Sequence, residues 1–203
     1  VDDRRPYHHG HLRAALLAAA AAEITEVGPS AMSLRKVAAR AGVTHPAAAH
    51  HFGDKRGLLT ALAAQGHRAL TETLVAARPG GLLPLGIAYL RFAHEHRAWF
   101  EVMFRPELLR TGDPDYVEAA RSSFAVLRET AAGSGDDLAY GAWGLVHGIA
   151  VLWLAGNLPA ATFEEAEDLF RRSARALATL GPPPAGSPRQ RQRRGGGGQR
   201  ANT

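Results

Sequence analysis

The chain has 203 residues, 46% hydrophobic and 21% charged, with no cysteine. These proportions exclude collagen-like, coiled-coil and wholly disordered chains, and the missing cysteines exclude disulfide frameworks, thiolate metal sites and cysteine nucleophiles. The net charge of +5 is unevenly placed: residues 1–58 carry eight Lys/Arg against five Asp/Glu, residues 59–180 eleven against fourteen, and residues 181–203 five against none. Basic ends around an acidic middle point to a polyanion as partner of the N-terminal part, where six of the ten histidines also lie.

Residues 1–10 are polar and lack the apolar core of a secretory signal, so a cytoplasmic protein is expected. From residue 11 the apolar positions Leu12, Leu16, Ala20, Ile24 and Val27 share one helical face, and Gly28-Pro29 ends that helix. Ser33 is the expected cap of a short second helix with Leu34, Val37, Ala38 and Ala41 inward, broken at Gly42. Thr44 caps a third, in which Pro46 suits the first turn and Ala48 and Phe52 face the core. A fourth, longer helix starts near Asp54 and stops before Pro79; the division between an N-terminal domain (1–58) and a second one (59–180) is placed inside it.

Five further helices are predicted. One begins at Leu82, and a short one holds Trp99, Phe100, Met103 and Phe104. The next is capped by Asp113-Pro114 with Tyr116, Ala120, Phe124, Leu127 and Ala131 inward; another spans about 136–156. The last opens with the capping box of Thr162 and Glu165 and buries Ala166, Phe170, Leu177 and Leu180. No alternating strand is evident, so the fold class is all-α: an N-terminal three-helix unit followed by a helical C-terminal domain. Residues 181–203 hold too little apolar surface to offset ordering entropy and read as a disordered basic tail, either sliding on phosphates or only solubilising.

Residues 33–52 have the grammar of a helix-turn-helix. Val37 and Ala38 brace Ala48 and Phe52, so that the second helix can enter a DNA major groove. Its small side chains, Ala47 among them, let the backbone approach base edges, while Thr44, His45 and His50 offer hydrogen bonds. Lys55 is expected on a phosphate, and Ser33, Arg35, Pro46 and His51 complete the set of DNA contacts. Arg4 and Arg5 form a short arm, either reaching a minor groove or merely solvated.

These stretches, YHHGHLRAALLAAA at 7–20 and SLRKVAARAGVTHPAAAHHFGDKRGLL at 33–59, resemble the DNA-binding domain of the TetR/AcrR family of bacterial transcriptional regulators. One departure is Ala49, which stands where the family usually has a phosphate-touching tyrosine and does not inherit that role. Residues 143–148, with Trp143, His147 and Gly148, match the Trp-x-x-x-His-Gly signature of a subgroup of TetR-like C-terminal domains. The resemblance implies a homodimer joined through its last two helices and a small-molecule effector, and the protein is read as a repressor that the effector releases from a palindromic double-stranded DNA operator. The expected pocket residues are Phe92, Trp99, Phe100, Met103, Trp143 and His147, with His94 as another polar anchor; the expected dimer contacts are Trp153, Phe163, Phe170 and Leu177.

Other readings compete. Residues 138–155 run 18 positions without a charge and contain Gly144 and Gly148 in G-x-x-x-G spacing, a pattern shared by membrane spans and by helices buried at a dimer interface. The acidic flanks and the lack of a Lys/Arg cluster favour the interface, so no membrane partner is expected. His147 either binds the effector or is a satisfied interior histidine. His8, His9 and His11 with His50 and His51 match no metal-ligand spacing, so neither metal nor cofactor is assigned. Without paired carboxylates, a phosphate loop or a nucleophile elbow, an enzyme ranks below a regulator, and a nucleoid-coating protein is the alternative binding class.

Overall fold

The structure, a computed structural model, describes residues 9–133 and 135–179. Arg4, Arg5, His8, Leu180 and the basic tail lie outside the described residues. Those described form α1 (His9–Ala31), α2 (Leu34–Arg40), α3 (His45–Phe52), α4 (Lys55–Ala77), α5 (Leu82–Glu95), α6 (Arg97–Met103), α7 (Pro114–Thr130), α8 (Asp136–Leu154) and α9 (Phe163–Thr179), with no strand among them. The all-α class expected from periodicity is what folds.

The apolar stripe of α1 buries Leu16, Ala20 and Ile24 completely or nearly so, each large side chain contributing about 1.5–3 kcal/mol. Val27 departs from that stripe and is 40% exposed. The cause is Gly28, whose φ of 77° turns the chain before one more helical turn, so that Met32 supplies the inward side chain instead. Ser33 takes the extended backbone of an N-cap, but its side chain makes no capping bond, contrary to the sequence expectation. Thr44 does cap α3, accepting from the Ala47 N–H at 3.4 Å, and Val37, Ala38, Ala48 and Phe52 close the seam between α2 and α3.

A charged clamp that periodicity does not predict ties α2 to α1. Glu23 is 4% exposed, with Arg40 at 3.3 Å and Lys36 at 3.7 Å, and Arg40 also reaches Glu26 at 2.6 Å. Burying Glu23 is tolerable because these two cations offset its lost hydration.

Helix α4 runs without interruption from the N-terminal trio into the second half of the molecule. Asp54 caps it, accepting from the Gly57 N–H at 2.9 Å, and buried Leu58, Leu62, Leu70 and Leu74 carry one continuous core from α1 to α9. Along its length α4 packs on α7, α6 and α5, while α1 leans on α6. Asp113 caps α7 through the Asp115 and Tyr116 amides, and Thr162 and Glu165 form the reciprocal box that opens α9. α5 and α9 approach closely because Gly86 lacks a Cβ, which would lie 2.3 Å from the Phe170 ring.

By length and composition α8 is apolar enough to cross a membrane. Ala139, Val146, Ile149, Ala150 and Trp153 bury one side of it against the protomer, while Tyr140, Val151 and Leu152 lie exposed on the other.

Candidate functional site

Two regions carry the chemistry. The first is α3. Thr44, His45, Pro46 and His50 are exposed, Ala47, Ala49 and His51 half-buried, and Ala48 and Phe52 buried. The exposed surface of α3 therefore offers two imidazoles and a hydroxyl beside small side chains, the combination a major-groove helix needs. Arg35 and Ser33 sit at the start of α2, Arg35 exposed and Ser33 half-buried. Lys55 is partly committed, since its ammonium donates to the Ser30 carbonyl at 2.6 Å.

The second region is a partly open cavity of about 990 Å³ lined by α4, α5, the end of α6, α7, α8 and α9, at the upper end of the size range of small-molecule sites. Of the six pocket residues expected from sequence, Met103, Trp143 and His147 line it and the other three do not. Phe100 is buried behind the wall, against His147 and Tyr89. Phe92 is 1% exposed in the core, and Trp99 turns outward to stack on His96 at 4.8 Å beside a separate groove between α1 and the α5–α6 corner. His94 borders that outer groove too, its ring on Trp153 and Phe163, so it anchors nothing in the cavity.

The cavity wall is aliphatic and aromatic, with two polar spots. At one, the Tyr89 hydroxyl and His147 Nδ1 are 2.8 Å apart. Burial raises the Tyr89 phenol, the Trp143 indole opposing it, and burial lowers His147. At the other, His67 Nδ1 lies 2.9 Å from Ser123 Oγ, and Tyr116 donates to the Met103 carbonyl at 3.3 Å. Burial pulls His67 down to about 4, against a hydrogen bond to the Met103 carbonyl that raises it. Both imidazoles are thus neutral at physiological pH.

The Ser123–His67 pair has the spacing of a nucleophile and its base. A histidine titrating near 4 is a weak base at neutral pH, and the Ser123 hydroxyl already donates to the Ala120 carbonyl at 3.0 Å. Tyr89, His67, Tyr116 and Ser123 were not singled out as site residues from sequence. Their signal was present: each is a polar group on the apolar stripe of its helix, as His67 is with Ala63, Leu70 and Leu74.

Of the four side chains expected between protomers, Trp153 and Phe170 are buried inside one protomer, which leaves them little surface for a second copy. Trp153 donates to the Ala160 carbonyl at 3.1 Å, Phe170 fills the space above Gly86, and Phe163 lies under the Arg91 guanidinium. Leu177 is 52% exposed. Gly144 and Gly148 have nothing within 4 Å of where a Cβ would stand, so that side of α8 is open within the protomer.

The part of the chain between cavity and α3 is tied by hydrogen bonds. Met103, Phe104 and Pro106 line the cavity; a few residues on, the Leu109 carbonyl accepts from Arg56 at 2.5 Å and the Arg110 N–H donates to Thr60 Oγ1 at 2.9 Å.

Two family models match: one described as bacterial regulatory proteins of the tetR family over residues 16–62, the other as a tetracyclin repressor-like C-terminal domain over residues 82–177. A solved protein of unknown function from Rhodococcus sp. RHA1 is 34% identical, the match covering 83% of this chain and 98% of that one with a TM-score of 0.66. A tetR-family regulatory protein from Rhodococcus RHA1 is 22% identical over 83% and 96% of the two chains, with a TM-score of 0.62. The fatty acid degradation regulator FadR from Bacillus halodurans shares the fold at 14% identity, covering 83% and 96%, with a TM-score of 0.61. No curated protein matches the chain.

Proposed function

Since the chain belongs to the TetR family of bacterial regulatory proteins and is a DNA-binding transcriptional regulator, we propose that it acts as a homodimeric repressor released from a palindromic operator by a small, largely apolar effector. Each protomer sets α3 into one major groove, with Thr44, His45, Ala47 and His50 toward base edges and Ser33, Arg35 and Lys55 toward the backbone. Trp143, His147 and Gly148 support assigning the second half to the Trp-x-x-x-His-Gly subgroup. The two protomers meet through the open face of α8 and the end of α9, where Val151, Leu152 and Leu177 are exposed. Such a dimer works in the cytoplasm, on the nucleoid, and performs no catalysis.

The observation that carries the effector reading is the course of the chain from cavity to reading head. Met103, Phe104 and Pro106, which line the cavity, lead within a few positions into the contacts with Thr60 and Arg56 near the start of α4, directly after α3. A ligand that favours one arrangement of this segment biases the position of α3, and release requires unequal affinity for the two arrangements.

The test is selection of binding sites from a random DNA pool, followed by titration of the recovered site and of random DNA at near-physiological salt. A preference of about a thousandfold with two protomers per site is expected. Equal affinities for both DNAs, with a steep salt dependence, overturn the reading in favour of nucleoid coating.

A further inference from the structure

If this cavity is the effector site, its lining also decides which molecules it accepts. Among its described lining residues none is Asp, Glu, Lys or Arg. Three arginines of the surrounding helices are engaged by carboxylates outside the cavity: Arg78 with Glu129 at 2.7 Å, Arg171 with Glu167 at 2.6 Å, and Arg68 with Asp115. An ionised ligand group entering the cavity finds no counter-charge, and a buried unpaired charge is far more costly than a buried neutral polar group with a hydrogen bond.

The polar spots offer hydrogen-bonding atoms on two walls. At the α8 wall the Tyr89 hydroxyl and His147 Nδ1 share a hydrogen bond of 2.8 Å, taken with the phenol as donor. The neutral ring then carries its proton on Nε2, a donor still to be used. At the α7 wall the Ser123 hydroxyl donates to the Ala120 carbonyl at 3.0 Å, and its oxygen lies 2.9 Å from His67 Nδ1. With its proton spent, the Ser123 oxygen keeps an acceptor lone pair for a ligand. One wall provides a donor and the other an acceptor, both in an apolar surround.

We propose that this cavity selects an uncharged, largely apolar molecule bearing a hydroxyl, carbonyl or neutral amide, held between His147 on α8 and Ser123 on α7, and discriminates against carboxylates and amines of the same shape. The proposal rests on the effector reading only for its regulatory meaning; the selectivity is a property of the lining. The lowered affinity of both imidazoles for protons agrees with it, because neither becomes a cation to meet an anionic headgroup near neutral pH.

The test uses the full chain and three probes of one length: 10-bromodecan-1-ol, 10-bromodecanoate and 10-bromodecylammonium at pH 7.5. Bromine quenches tryptophan, and Trp143 lies in the cavity wall. The alcohol is expected to bind about tenfold or more tighter than either ion. Ser123→Ala is expected to weaken the alcohol by roughly two- to tenfold while leaving 1-bromodecane unchanged, which separates a lost hydrogen bond from a damaged fold. Either ion binding as tightly as the alcohol, or no binding of the alcohol, overturns the proposal. Release of the selected operator is measured separately by fluorescence anisotropy. Selective binding of the alcohol without release supports the ligand class and counts against the effector reading alone.

Discussion

The Arg110 guanidinium rests on the Asp54 carboxylate at 2.9 Å, so a residue between the cavity segment and α7 grips the cap of the helix that follows the recognition helix. Asp54 has two duties, since the same Oδ1 accepts the Gly57 N–H at 2.9 Å, and these bonds hold its carboxyl below the usual range. The ion pair is largely exposed and worth less than about 1 kcal/mol, whereas loss of an N-cap costs roughly 1 kcal/mol by itself. Arg110→Ala is therefore expected to leave stability almost unchanged, and Asp54→Ala to lower it by about 1 kcal/mol or more in urea unfolding. Asp54→Asn, which keeps the cap oxygen, should fall between them. Equal losses from the two alanine variants would show that the ion pair, and not the cap, carries the stability.

Gly57 sits in the first turn of α4, where alanine normally gains about 1 kcal/mol over glycine. Here a Cβ would stand 1.9 Å from the Phe52 carbonyl oxygen, the end of the recognition helix. Gly57→Ala is thus expected to destabilise by about 1–3 kcal/mol and to weaken operator binding, because backbone must shift to admit the methyl. Gly144→Ala meets nothing within the protomer. A loss of dimer there, measured by sedimentation, would report packing of α8 on a second copy.

His67 makes stability depend on pH in a stated direction. Its ordinary value of 6.5 is lowered by burial to about 4 in the folded protein. Above 6.5 both states hold it neutral and stability is full; as pH falls from 6.5 toward 4 the unfolded chain takes a proton that the folded one refuses, and stability drops. Between pH 7.5 and 5.5 this amounts to about 1 kcal/mol. His67→Gln should flatten denaturant midpoints across that window, apart from a smaller slope of the same sign from His147. An unchanged slope would mean that His67 titrates normally in the fold.

Caps, periodicity and the helix-turn-helix seam were legible because they are local: Thr44, Asp113 and the Thr162–Glu165 box act within four residues of themselves. Side-chain destinations set by long-range packing were not. Trp99 and Phe92 belong to apolar stripes that periodicity assigns to the interior, but only the angle between α5 and α6 decides that Trp99 stacks outward on His96. Phe170 and Trp153 have the same ambiguity, since an apolar face on α9 or α8 reads alike whether a neighbouring helix or a second copy covers it. The Arg110–Asp54 contact joins residues 56 positions apart, beyond the reach of any local pattern.

The reading of DNA by α3 gives the last expectation. His45 and His50 are exposed on the helix whose small residues permit close approach, and Lys55, already bonded to the Ser30 carbonyl, has donors left for a phosphate. A base-reading side chain contributes to the correct sequence alone, about 1–3 kcal/mol, while a phosphate contact contributes to all sequences and to the salt slope. His45→Ala and His50→Ala are therefore expected to weaken the selected operator roughly five- to a hundredfold with little change on random DNA. Lys55→Ala should weaken both alike and lower the salt slope by about one. The measurement is anisotropy titration of both DNAs at several salt concentrations; equal losses on the two DNAs for the histidine variants would assign them to the backbone and leave base recognition to Thr44 and the alanine face of α3.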